Sequence, residues 1–332
     1  MSRARSATGT RSRSHSSAVL SMLQYYRPKR INFVLAVLHL VFNPVAGKGR
    51  ASRALGSIER FLTDHGLAYE LLTTEREGHA TELAAGTPAG ATVVVRGGDG
   101  TVHEVVKGIM NGQPGQLSNA RRLAVVPVGS GDDFAFSLGI PRDDLAAALQ
   151  RLVAPKVVTV DVGFVDGEPF ANSTGVGFDA EAAYRVRTSP KFLRGLAAYL
   201  YGTLSALGDF RPVSVRVVVD GSEVYSGPSL LVSLQNGPRG GGSFLFAPQA
   251  RNDDGLLDVL VAGEFSRLGA IGILPRLMKG KHLSDPRVHM FRGSEVLLEW
   301  ELPQRGHADG EPLGPRTSYS AELRAAALDV IC

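Results

Sequence analysis

The stretch Thr92-Val93-Val94-Val95-Arg96-Gly97-Gly98-Asp99-Gly100-Thr101 organises the reading of this chain. Its first four residues form a β-branched run of the kind that fills a buried strand. Past the glycines, Val102, Val105, Val106 and Ile109 repeat at helical spacing. Thr101 and Glu104, three apart at the helix entrance, read as a capping box. The glycines therefore fall in a strand-to-helix turn, where unpaired N–H groups and the positive end of the helix dipole favour an anion. Glycine lets the backbone approach such a group, and Asp99 sets one carboxylate where a metal ion could join it. Gly-Asp-Gly is also ordinary turn chemistry, so a plain connecting turn is the alternative. The strand before it and the helix after it favour a phosphate-handling loop. A P-loop is excluded, because Gly47-Lys48 is followed by Gly49 and Phe42 stands where the first glycine belongs.

Outward from this loop the chain alternates strand and helix. Val37–Phe42 reads as a strand, and Ala54, Leu55, Ile58, Phe61 and Leu62 make a helical stripe. Tyr69–Thr73 is a strand, His79–Ala85 a short helix, and Leu123–Val126 a strand broken by Pro127. Such alternation specifies an open, mostly parallel sheet with helices on its faces and ligands beyond the carboxyl ends of its strands. Beyond about residue 155 the texture changes. Val157–Val160, Phe164–Val165, Val213–Val219, Ser229–Gln235, Leu256–Val261 and Glu295–Glu301 are short strands separated by Gly, Pro, Asn and Asp. These specify an antiparallel β domain with one helical interruption, Pro190–Leu207. The expected fold class is α/β: a parallel-sheet domain over 36–153, a β domain over 154–317, and residues 318–332 returning to the first domain through a strand at Ala325–Ile331.

With 332 residues, 44% hydrophobic and 20% charged, the chain has a globular composition and length enough for two cores. The formal charge of +4 suggests a polyanion partner until the charges are placed. Residues 1–30 hold Arg3, Arg5, Arg11, Arg13, Arg27, Lys29 and Arg30 and no acid; removing these 7 from the 36 basic residues leaves 29 against 32 acids. The basicity belongs to the tail, and nucleic-acid binding by the body loses its support. Residues 1–35 read as a disordered basic tail. The apolar run Phe33–Phe42 is too short to span a bilayer. The one cysteine, Cys332, allows no internal disulfide, which fits a reducing, cytoplasmic setting.

Four further segments carry chemistry: Asn43-Pro44-Val45-Ala46-Gly47-Lys48-Gly49, Pro127-Val128-Gly129-Ser130-Gly131-Asp132-Asp133-Phe134, Gly175-Val176-Gly177-Phe178-Asp179 and Asp309-Gly310-Glu311. Thr74-Glu75-Arg76-Glu77-Gly78-His79-Ala80 and Phe246-Ala247-Pro248-Gln249-Ala250, leading to Asp254-Gly255-Leu256-Leu257-Asp258, complete the set. In this order and spacing they resemble the diacylglycerol kinase catalytic family, which includes bacterial lipid kinases and sphingosine kinases. The resemblance runs from about Leu40 to Val330. NAD kinases and phosphofructokinases share a GGDGT-like loop, but the Asp-Gly-Glu after a β domain favours the lipid kinases.

The resemblance implies an ATP- and magnesium-dependent kinase, with ATP between the domains and a membrane lipid such as diacylglycerol as acceptor. Asn43, Thr74, Gly97, Gly98, Asp99, Gly100, Thr101, Val102, His103 and Ser130 map onto nucleotide-contacting positions. Asp99 would join the magnesium–phosphate network, and Glu311 maps onto the proton acceptor. Arg251, Asp254 and Leu256 map onto a second magnesium site, the first and last through backbone carbonyls. Where the family has Gly-Thr-Gly-Asn-Asp-Phe, this chain has Asp132 in place of the asparagine, a negative charge near the expected phosphates. His79, His103 and His307 lack zinc spacing and are expected on loops or helix surfaces, with His103 near the phosphates. Arg185, Arg187, Lys191 and Arg194 lead into an apolar segment, Phe192 to Leu204. It reads either as a core helix with a basic face or as a lip touching an anionic membrane. An NAD-kinase-like enzyme and a non-catalytic nucleotide or lipid binder are the rival functions.

Overall fold

A computed structural model describes residues 37–111, 121–142, 144–190, 193, 196–209 and 211–332. The basic tail, with Lys191, Phe192 and Arg194, lies outside these. In the first half, β1 (Leu38–Phe42), β2 (Tyr69–Thr73), β3 (Thr92–Gly97) and β4 (Arg122–Pro127) pair in parallel, in the order β2-β1-β3-β4. Period-two alternation divides their side chains between two covered faces. Leu40, Phe42, Val94 and Val126 pack against Ile58 and Leu62 of α1 (Ala46–Asp64) and Leu149 of α5 (Leu145–Val153). Val41, Val93, Val95 and Val125 face Ala80 and Ala84 of α2 (His79–Ala85) and Val102, Val105 and Val106 of α3 (Asp99–Met110). Pro127 does not break β4: it is the last residue of that strand, where its ring disturbs no further pairing. A short α4 (Asp133–Ser137) follows it.

The second half contains β5 (Val157–Val165), β6 (Glu168–Phe170), β7 (Ser173–Gly177), β8 (Val213–Val219), β9 (Ser222–Ser229), β10 (Leu231–Gln235), β11 (Leu257–Ala262), β12 (Val288–Gly293), β13 (Glu295–Ala308) and β14 (Glu311–Ile331). The pairings β12-β11-β10-β7-β13-β14 are antiparallel. The expected α/β class with an antiparallel second region is the fold observed. The strand expected at Ala325–Ile331 is the end of β14, 21 residues long. β14 pairs with β13 and β5 and then lies parallel to β4 through Asp329–Ile331. Among the described residues one sheet therefore runs through both halves.

Among the described residues three helices sit in the second half, where one interruption over Pro190–Leu207 is expected: α6 (Phe178–Arg187), α7 (Leu196–Asp209) and α8 (Arg267–Met278). α8 was hidden by Gly269, Gly272 and Pro275, which argue against helix on propensity. α6 begins inside Gly-Val-Gly-Phe-Asp, which reads locally as a turn.

Candidate active site

The loops after β1, β3 and β4 meet at one edge of the parallel sheet. Gly98 N-caps α3 with an extended backbone, φ −96° and ψ −172°. A Cβ on Gly129 would lie 2.9 Å from Gly98 Cα, and one on Gly131 would overlap the Asp99 carboxylate. Only glycine permits that approach. Arg50 Nη2 ties the first loop to the third by donating to Val128 O at 2.9 Å and Gly129 O at 3.0 Å. The capping box is not formed: Glu104 instead accepts from Gly78 N at 2.9 Å and Ala80 N at 3.0 Å, capping α2. Thr101 receives Asn43 Nδ2 at 2.9 Å. Thr74 follows β2 directly, its amide donating to Phe42 O at 2.9 Å.

Asp99 accepts the amides of Asp132 and Asp133, each at 2.7 Å. Burial, with the charges of Asp133 and Asp132, raises its carboxyl to about 7 against the pull of those amides. Asp132 adopts the left-handed φ of 52° and accepts from Gly129 N at 2.9 Å. Its Oδ2 is buried without a hydrogen-bond partner, the Arg142 guanidinium standing 3.6 Å away. Burial raises the Asp132 carboxyl. Asp133 reaches the second half, accepting from Arg239 Nε at 2.7 Å and Gly242 N at 2.8 Å. The Arg239-Gly240-Gly241-Gly242 run, passed over in the sequence, was the signal for this contact.

His103 is neither on the helix surface nor in the cleft. Its side chain is 4% exposed, with Nδ1 3.4 Å from Asp309 Oδ2 and Nε2 3.3 Å from Glu168 Oε1. Burial works against the charged ring, but hydrogen bonds to Asp309 and Glu168 outweigh it and lift the imidazole to about 9. Lys107 Nζ completes the group, donating to Glu168 at 2.6 and 2.7 Å. Asp309 also accepts three amides, from Ala171, Asn172 and Ser173, at 2.7 to 2.9 Å. Thus α3 is strapped through His103 to the turn that carries Glu311. The Glu311 carboxylate lies over the start of α3, within 3.2 Å of where a Gly100 Cβ would be. It pairs with Arg187, which also holds Glu77 at 2.9 Å.

These parts border a cleft of about 310 Å³, lined by Asp99, Val102, Ser130, Arg187, Gly240–Gly242 and Asp309 among others. Asp99, Val102 and Ser130 of the expected nucleotide set face it. Behind it lies an apolar cavity of about 50 Å³, walled by Phe178, Leu230, Phe244, Leu260, Phe265 and Ile273. Asp179 and Phe246 line both spaces. Asp179 is buried, 3.4 Å from His307 Nε2, while His307 Nδ1 accepts from Gly310 N at 3.1 Å. His307 is therefore a site-wall residue, and His79 accepts from Glu75 N at 3.2 Å.

The diacylglycerol kinase catalytic domain model matches residues 37–165, and that of the YegS C-terminal NAD kinase beta sandwich-like domain matches 172–332. A Mycobacterium tuberculosis diacylglycerol kinase is 30% identical over 268 residues, 77% of this chain and 83% of the relative. The chain belongs to the diacylglycerol kinase catalytic family. A Bacillus subtilis diacylglycerol kinase is 28% identical over 276 residues, 82% of this chain and 88% of its own length. The crystal structure of a Bacillus anthracis diacylglycerol kinase superposes with a TM-score of 0.69 at 25% identity, covering 89% of this chain and 96% of that one.

Two groups of residues carried over from this lipid-kinase family have other partners here. Asp254 accepts from Leu256 N at 3.2 Å and pairs with Arg292, while Arg251 pairs with Asp253 at 3.0 Å. The cation beside Asp254 in this structure is the Arg292 guanidinium. Arg185 is bound to Glu181 at 2.8 Å and to Ser205 O, and Arg187 to Glu311 and Glu77. Neither is a spare cation for a membrane. Among the described residues no helix is long and apolar enough to cross one.

Proposed function

We propose that this member of the family transfers the γ-phosphoryl group of ATP to a hydroxyl of a membrane lipid such as diacylglycerol, acting in the cytoplasm at the membrane surface. The observation that carries the reading is the junction at Asp179 and Phe246, two residues that line both a polar cleft floored by glycine loops and an apolar cavity beside it. A nucleotide has use for the first and an acyl chain for the second.

The residues present fit a magnesium–nucleotide complex. The start of α3 offers its dipole to phosphate, Asp99 supplies a hard oxygen ligand, and the orphaned Asp132 Oδ2 is a second buried oxygen facing the same loops. Magnesium bound there would neutralise phosphate charge. Ser130 and the Gly131–Asp133 backbone position the triphosphate. Glu311 accepts the hydroxyl proton as the lipid oxygen bonds to the γ-phosphorus and the bond to the β-phosphate oxygen breaks, releasing ADP. Arg187 orients Glu311 until the acceptor arrives. His103 and Asp309 fix the distance between the nucleotide loop and that base, the positioning on which phosphoryl transfer depends.

The test is labelled ATP with magnesium, offered diacylglycerol, other hydroxyl lipids and NAD in parallel, with products identified by mass spectrometry. Phosphatidic acid from diacylglycerol is expected. Phosphorylated NAD alone, or nucleotide binding with no transfer, overturns the reading.

A further inference from the structure

We infer that the outer face of α7 and α8, two of the helices that wall the apolar cavity, is the surface by which this protein docks on an anionic lipid bilayer. The inference rests on the lipid-kinase reading and names where the membrane lies.

The first observation is an anomaly of α8. Of its twelve residues only Arg267 and Arg276 are charged, and only Ala270 is buried. A helix apolar on all sides is normally enclosed on all sides. Here the inner side closes the cavity with Ala270, Ile273, Leu274 and Leu277. The outer side holds Leu268, 82% exposed, and Ile271, 41% exposed. α7 repeats the pattern: Thr203 lines the cavity, while Tyr201 and Leu204 face outward. Just past α8, His282 lines the cavity and Leu283 is exposed. Five of the twelve large hydrophobic residues exposed among the described residues therefore sit on three of the segments that wall this cavity. The others are spread over separate elements, which is the ordinary condition of a soluble surface.

The second observation is charge. Between Glu264 and Arg287 the chain carries Arg267, Arg276, Lys279, Lys281 and Arg287 against Glu264 and Asp285. Arg276 and Arg287 pair with Asp285 at 3.4 and 2.9 Å, while Arg267, Lys279 and Lys281 have no carboxylate partner among the described residues. A groove of about 500 Å³ beside the α8 N-terminus is lined by Arg211, Arg267, Arg287 and Glu264 over Phe265 and Leu207. Phe265 belongs to both groove and cavity. An apolar face rimmed by cations matches the depth profile of an anionic leaflet, acyl chains below and phosphates above. It fits a lipid surface better than a second copy of this chain, whose face would carry the same positive rim. Docked this way, the cavity faces the leaflet that holds its substrate.

The experiment uses the full chain with vesicles containing phosphatidylglycerol, and with phosphatidylcholine alone, at about 0.3 M salt to screen the basic tail. Leu268→Glu/Ile271→Glu is compared with wild type in vesicle sedimentation. Both are assayed on a long-chain diacylglycerol held in the vesicles and on dispersed dioctanoylglycerol. Sedimentation and vesicle turnover are expected to fall at least about tenfold, with dioctanoylglycerol turnover kept within about twofold. Unchanged vesicle binding and turnover overturn the inference. So does a dimer by light scattering that the double variant dissociates without loss of vesicle binding. Hydrogen exchange of the wild type on vesicles decides the matter independently of how the variant folds: residues 267–278 must gain protection, and no gain there is a refutation. A wild type that phosphorylates neither lipid overturns the kinase reading alone, since sedimentation and exchange still report docking.

Discussion

On the near side of Asp179 the walls of the site are mainly backbone, and on the far side they are side chains. The near side is made of turns after β1, β3 and β4, held by amides donated to Asp99, Asp132, Asp133 and Asp309. Nearly every carboxylate oxygen there has an assigned donor, and the glycines are fixed by contacts that a Cβ would break. The far side is an aromatic and aliphatic shell closed by α6, α7 and α8. The difference follows from what each side would hold. A phosphate has one size and a fixed set of acceptors, so donors can be set in advance. An acyl chain offers only area, so many side-chain combinations serve.

The sharpest blow to the near side is Asp99→Asn. It removes the carboxylate from the nucleotide loop while retaining one acceptor for the two buried amides. Transfer should fall by about two to four decades, and stability by about 1–3 kcal/mol for the amide left unpaired. Near wild-type turnover at saturating magnesium and ATP contradicts the assignment of that loop.

Ala270→Phe strikes the far side only. The added ring fills much of a cavity of about 50 Å³. Turnover on diacylglycerol should drop at least about tenfold while nucleotide affinity stays within about twofold, at an overpacking cost of about 1–3 kcal/mol. Loss of nucleotide binding, measured by calorimetry, shows that the two sides are not separate.

His103→Gln tests the strap that joins α3 to the base. Turnover should fall by about tenfold with little change in the Michaelis constant for ATP. His103 is raised to about 9 in the folded protein, above its ordinary value near 6.5. Its contribution to stability is therefore complete below about pH 6.5 and disappears as pH rises through about 9. The Tm gap between wild type and variant should close over that window, and a constant gap contradicts the ionic strap.

Asp132→Asn should have the smallest effect and the opposite sign. The amide still accepts from Gly129 N and tolerates the left-handed backbone, but the charge near the phosphates is gone. ATP should bind about three to ten times more tightly at low magnesium. Weaker binding would mean that the ligand role of Asp132 Oδ2 toward magnesium outweighs its repulsion of the phosphates.

The same contrast decides what could be read from the chain. The parallel sheet and its loops were legible because Val-rich runs and glycine turns obey local rules, and Asp99 and Ser130, singled out by motif, do line the cleft. His103 was misplaced, since helical spacing does not reveal that Asp309, 206 residues later, returns to meet it. The Thr101–Glu104 cap failed for a related reason: Glu104 found better donors at the start of α2. The apolar cavity showed in the sequence only as Phe178, Asp179 and Phe246, inside segments quoted for other reasons. It is assembled from Phe178, Leu230, Phe246, Leu260 and Ile273 on separate elements, and α8 hides behind its own glycines and proline.

The central claim is that the two sides serve one transfer, in which Glu311 takes the proton of the acceptor. It is tested most directly by Glu311→Gln, with phosphoryl transfer to diacylglycerol and ATP affinity measured on the same preparation. Glutamine keeps the shape and can still accept from Arg187, but it cannot take up a proton. Turnover is expected to fall by about two to four decades with ATP affinity within about twofold of wild type. Retained turnover would contradict the claim, and lost ATP binding would make Glu311 part of the nucleotide side.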